Sequence, residues 1–174
     1  MADARAQDHE DGDRMKYVWL AAYIASIIAA NWMTSTLGLV AIGFGLMVTA
    51  GTFAAGFALV ARDGVQISLG NRWTFAAILV GAVLSAITSN PAIAVASGIA
   101  FLTSELVDYA VFTPLRKRSL AGAVVASSVV SAPVDTILFL AIAGFGVTWP
   151  AVLGQFIVKT IIALIAAAFL ARRR

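Results

Sequence analysis

An all-α membrane protein of six transmembrane helices, with N- and C-termini cytoplasmic, is the fold this sequence predicts, on three observations. The 174 residues are 61% hydrophobic and only 12% charged, where globular domains carry about 25% charged residues. A chain this short cannot hide such a surplus in a water-soluble core, because small domains expose much of their surface. The apolar residues also gather into runs near the roughly 20 residues that one span needs. Finally, basic residues cluster at alternate connections between those runs. An ordinary cytosolic enzyme and a disordered chain are both excluded.

The elements follow in order. Residues 1–14 are polar and mostly acidic (Asp3, Asp8, Glu10, Asp11, Asp13) and are expected as a disordered cytoplasmic tail. With no basic start and no small-residue cleavage site, they do not form a secretory signal. The six-helix domain is expected over 15–174. Its helices are placed at 16–33, 46–62, 72–88, 92–113, 119–143 and 150–171. Between the first two, Leu37 to Gly45 is apolar but glycine-rich. An irregular segment packed inside the protein is favoured there, since glycine is a poor helix former and coil at membrane depth must be shielded from lipid. Ser89-Asn90-Pro91 closes the third helix and Gly144-Phe145-Gly146 follows the fifth. Trp19, Trp73 and Trp149 read as interface anchors.

Arg5, Arg14 and Lys16 precede the first helix, Arg62 and Arg72 flank the second connection, Arg116 to Arg118 fill the fourth, and Arg172 to Arg174 end the chain. Six spans put eleven of the twelve basic residues on one side. The pI near 9.7 therefore reflects topology, not nucleic-acid binding. There is no cysteine and a single histidine, His9, so thiolate, His-triad and zinc chemistry are not expected. No cofactor is implied.

Four ionisable residues lie deep in apolar runs: Glu105, Asp108, Asp135 and Lys159. Each costs a few kcal/mol in hydrocarbon, on the order of 2.5–3.5, and such groups face the bundle interior. Glu105 and Asp108 share a helical face, and Glu105 lies roughly 16 Å from Arg116 along the helix. Lys159 with one carboxylate makes a plain interhelical tie. That leaves two further acids, which point to a site for a ligand rich in N–H donors or to a proton relay. Asp63 is either an interfacial partner of Arg62 or Arg72 or part of that site. Ala21, Ala25 and Ala29 form a small-residue stripe suited to close helix approach or to docking of a partner membrane protein. Asp108 and Asp135 sit in no protease-type motif, and no enzyme is predicted.

The stretch Phe101-Leu102-Thr103-Ser104-Glu105-Leu106-Val107-Asp108-Tyr109-Ala110-Val111-Phe112, followed by Pro114-Leu115-Arg116-Lys117, resembles the fourth-helix signature of the VUT family of queuosine-precursor transporters. Asp135-Thr136-Ile137-Leu138-Phe139 resembles its fifth-helix motif. Lys159, Asn31 and the Asp63-to-Gly70 spacing are similar to further family features. Glu105 stands where the family often has glutamine, and Gln66 where some relatives carry a charge.

The resemblance implies import of a 7-deazapurine such as preQ0 or preQ1 across the inner membrane. It also implies a fold similar to the six-helix substrate-binding subunits of energy-coupling-factor vitamin importers. In that reading Glu105, Asp108 and Asp135 accept hydrogen bonds from the base or hold a coupling proton, Lys159 balances their charge, and Asn31 and Gln66 fix orientation. Partners are the deazapurine, the bilayer, and a second copy of the chain or an energy-coupling protein; nucleic acid is not one. The alternatives are a substrate-binding subunit that needs a separate ATPase motor, and a structural membrane protein whose buried charges only tie helices.

Overall fold

The computed structural model describes residues 2–87 and 91–172, with side chains from Tyr17 onward apart from Ala86. Six helices and one β-hairpin follow in the order α1 (Ala2–Leu37), β1 (Leu39–Gly43), β2 (Leu46–Thr49), α2 (Thr52–Leu69), α3 (Asn71–Ile87), α4 (Pro91–Leu115), α5 (Leu120–Ile142) and α6 (Trp149–Arg172). Among the described residues four stretches are long and apolar enough to cross a membrane: Tyr17–Leu37, α4, α5 and α6. In α2 the apolar run is interrupted by Arg62 and Asp63, and α3 has 17 residues.

Two contacts fix which ends lie together. Arg116, after α4, donates to Gln66 O (3.2 Å) and to Asn71 Oδ1 (3.3 Å), so the α2–α3 and α4–α5 connections share one end of the bundle. At the other end the hairpin packs on the start of α6, with Met47 against Gly154. Consecutive helices therefore run in alternate directions. Ser119 starts α5 as its N-cap, its hydroxyl accepting from Gly122 N at 3.1 Å, which satisfies one of the four unpaired N–H groups of a helix start.

The helices pack through small residues, as membrane helices do where backbones come close. Gly64 of α2 lies under the Trp19 indole of α1, and Gly56 lies against Lys159 and Ile162 of α6. One core cluster joins Tyr23, Ile27, Ala58, Ala61, Val65 and Ala77. A second joins Val60, Phe112, Ala123, Val124 and Ala163. Ala21 and Ala25 face outward, so this part of the alanine stripe does not mediate packing within the chain.

Three features differ from the sequence expectation. The glycine-rich segment is an ordered antiparallel hairpin, with Leu39 opposite Thr49, Val40 opposite Val48 and a register shift between Ala41 and Gly43. The bundle is all-α; the hairpin is the exception. Phe44 and Gly45 both have positive φ (53° and 73°), the geometry of hairpin turns whose twist matches their strands. The β-branched residues Val40, Ile42, Val48 and Thr49 suit the pairing. Its tip is not inside the protein, because Phe44 is fully exposed.

The second difference is α2, which starts at Thr52 and runs on to Leu69 instead of occupying 46–62. Arg62 and Asp63 lie within it, buried, and do not mark its end. Gly70, at φ 80°, closes the helix. Third, α1 is helical from Ala2, where a disordered tail was expected; alanine favours helix and acidic residues favour its N-terminal end. The expected break at Ser89-Asn90 lies outside the described residues, and α4 begins at Pro91, a favoured first helical position. Trp73 and Trp149 are exposed as interface anchors would be, whereas Trp19 packs on α2.

Gly154 offers a direct test of how the hairpin is held. A Cβ at this position would collide with the Met47 backbone, and backbone cannot swing aside as a flexible side chain can. Gly154→Val is expected to displace the hairpin at a cost of about 1–3 kcal/mol. A thermal melt in detergent checks this, and an unchanged midpoint would show that the hairpin is not clamped here.

Candidate functional site

Among the described residues two polar clusters occupy the interior, one between α2 and α4 and the other between α5 and α6, with α4 reaching both. The first centres on Arg62, which is fully buried. Its Nε donates to Glu105 Oε2 (2.9 Å) and its Nη1 to Gln66 Oε1 (2.9 Å). Nη1 also lies 3.0 Å from Asp63 Oδ1, and Nη2 pairs with Asp108. Phe112 covers the guanidinium, its ring centre 5.6 Å away, at cation–π distance. Gln66 then donates to Thr113 Oγ1 (2.9 Å) and Asn71 Oδ1 (3.3 Å). The helical spacing explains the focus: Gln66 follows Arg62 by four residues and Asp108 follows Glu105 by three, so each pair shares one face.

The second cluster centres on Lys159. Its Nζ donates to Asp135 Oδ2 (2.5 Å) and Thr136 Oγ1 (3.0 Å). Ser104 donates to the other Asp135 oxygen at 3.2 Å. Asp108 Oδ1 accepts from Ser131 at 3.0 Å, so Ser104–Asp135 and Asp108–Ser131 are successive rungs between antiparallel α4 and α5. The rungs hold the Arg62 and Lys159 clusters in a fixed register one helical turn apart.

Beside Lys159 lies a cavity of about 60 Å³, room for a few waters. Asn31, Asp135, Gln155 and Lys159 give it polar walls, and Phe101 and Phe139 give it aromatic ones. Hydroxyls of Thr34, Thr49 and Thr52 line the side next to the hairpin. Asn31 Nδ2 donates to Ser85 Oγ at 3.0 Å. Asp135 and Lys159 both line the cavity, and the Asp135 side chain is the more exposed of the two, 19% against 1%. A larger hollow of about 680 Å³ lies between α1, α2, α5 and α6. Its walls are apolar apart from Asp63 and Ser68, which supplies few partners for a polar solute.

The six residues singled out from sequence are all buried or partly buried, but they divide between the clusters. Asn31, Asp135 and Lys159 line the cavity. Gln66, Glu105 and Asp108 surround Arg62. Lys159 balances Asp135, and the cation that balances Glu105 and Asp108 is Arg62. The sequence reading missed Arg62 as a buried group and Gln155 as a wall residue. Apolar Val65, Ile67 and Leu69 beyond Arg62 were the available sign that its helix continues. Gln155 carried only one hint, a position four residues before Lys159.

Lipid-length helices packed around a small polar cavity describe a membrane protein with an interior site for a small polar molecule. The chain belongs to the vitamin uptake transporter family, since a family model described as "Putative vitamin uptake transporter" matches residues 15–172. No curated protein and no solved structure matches it.

Proposed function

We propose that the chain is a six-span importer of a 7-deazapurine such as preQ0 or preQ1, with both termini in the cytoplasm, and that the base sits in the cavity beside Lys159. The observation that carries this reading is the Asp135–Lys159 pair, charge-balanced and set in the cavity wall with the aspartate its more exposed member. A carboxylate accepts paired N–H donors strongly, and a guanine-like ring presents an N–H beside an exocyclic amine. Phe101 and Phe139 supply faces for a flat ring. Asn31, its nitrogen already donating to Ser85, offers its carbonyl oxygen to the ligand. At about 60 Å³ the cavity is too small for a two-ring base, so uptake requires the bundle to widen around it, in keeping with alternating access.

In this reading the Arg62 cluster holds α2 and α4 around the cavity, and Glu105, Asp108 and Gln66 act through it. The six-span topology is supported by the alternating helix directions and by Arg72 and Arg116 to Arg118 standing at one end of the bundle. Uptake of radiolabelled preQ1 by cells unable to synthesise it tests the proposal. Saturable uptake is expected with the intact chain and is expected to vanish with Asp135→Ala in a variant that still inserts. Normal uptake by that variant would reject the site. Ala21 and Ala25, outward and small, favour a second reading in which a motor protein docks on α1. Transport by the purified chain alone in liposomes would exclude it.

A further inference from the structure

We propose that Gln155 is a further ligand-contacting residue, donating its side-chain N–H to a ring carbonyl whose neighbouring N–H and amine face Asp135. This rests on the reading of the cavity as the binding site. Gln155 is 2% exposed and lines the cavity, yet its Nε2 finds no hydrogen-bond partner among the described residues. Other polar groups of the same wall are engaged. Lys159 donates to Asp135 and Thr136, Asn31 donates to Ser85, Thr49 and Thr52 bond each other, and Thr34 accepts from Gly51 N. A buried amide donor left unmatched is costly, so its place on the wall points to an acceptor supplied by the ligand.

The helix geometry says which acceptor. Gln155 precedes Lys159 by one turn of α6, so the two side chains share a face, with Cβ atoms about 5–6 Å apart. Lys159 holds Asp135 at its tip. The wall therefore presents a neutral donor next to a carboxylate acceptor. The complementary ligand edge reads carbonyl, ring N–H, exocyclic amine in that order. Lysine and aspartate together are neutral, so the ring edge that meets them is neutral too. Guanine-like and pterin rings both carry this edge; a 6-amino purine does not.

The test is titration of the purified full chain in detergent with 7-deazaguanine, with pterin and with 7-deazaadenine, comparing the unaltered protein with Gln155→Leu. Removing one buried hydrogen bond is expected to weaken binding of the carbonyl-bearing rings about tenfold. The weak binding of 7-deazaadenine is expected to stay unchanged, and the melting midpoint of the ligand-free protein is expected not to fall, since an unmatched buried donor has been removed. Relative affinity for 7-deazaguanine and pterin decides between the two sources of the edge. If the unaltered chain binds the carbonyl rings and Gln155→Leu binds them equally well, or loses all three ligands alike, Gln155 is not the contact. If the unaltered chain binds none of them, the reading of the cavity itself fails, and this assignment with it. Should Gln155→Leu not fold, Gln155→Asn, which withdraws the amide by one methylene, is expected to give the same ordering with a smaller loss, and equal binding of the carbonyl rings by that variant overturns the assignment.

Discussion

Arg62→Met is expected to destabilise the folded protein severely. The guanidinium meets Asp63, Glu105 and Asp108, and all four side chains are at most 2% exposed. Without it, three carboxylates are left facing one another with no cation in contact. Breaking a buried pair by removing one partner costs about 3–5 kcal/mol, a large share of the roughly 5–15 kcal/mol that typically holds a protein together. Loss of the Phe112 contact adds to this. A drop in melting midpoint on the order of 10 °C, or loss of the monodisperse species in size-exclusion chromatography, is the expected readout. Arg62→Lys keeps the charge but cannot place planar N–H groups on Glu105, Asp108 and Gln66 together, and should fall between. The cause is separable, because Arg62→Met combined with Glu105→Gln and Asp108→Asn removes two of the orphaned charges and should recover much of the loss. A single Arg62→Met variant that melts near the unaltered protein would show that this cluster does not hold α2 to α4.

The sequence made the helices legible and left their polar interior illegible, for a physical reason. Apolar runs bounded by proline, glycine and basic clusters located α3 to α6 within about two residues of where they stand, since hydrophobic length is a local property. Arg62 was misplaced because a charge in an apolar run reads as the run's end. What makes it an interior residue is a set of carboxylates 43 and 46 positions away, and no local pattern reports such partners. The hairpin escaped for a similar reason: glycine made helix the less favoured reading there, but strand pairing depends on the opposite segment and on the close approach of Gly154. Glu105, Asp108, Asp135 and Lys159 were found because buried charge is rare enough to be conspicuous. Which acid each cation takes is set by the register of α4 on α5, which the sequence does not display.

The second large effect separates a tie from a binding site. Lys159→Met is expected to reduce uptake at least ~100-fold, because it leaves Asp135 without its cation in a low-dielectric wall, a change worth about 3 kcal/mol or more. Asp135→Asn alone is expected to do similar damage from the other side, leaving Lys159 paired only with the Thr136 hydroxyl. The double variant Lys159→Met, Asp135→Asn is the informative one. It restores neutrality, so stability should return close to that of the unaltered chain, and the coupling between the two positions can be read from the cycle of melting midpoints. If the pair only joins α5 to α6, uptake returns with stability. If Asp135 receives the N–H groups of the base, the double variant folds and inserts yet does not transport, because an amide cannot accept two charge-assisted bonds as a carboxylate does. Recovery of uptake in that variant would remove Asp135 from the binding site and leave it a structural partner of Lys159.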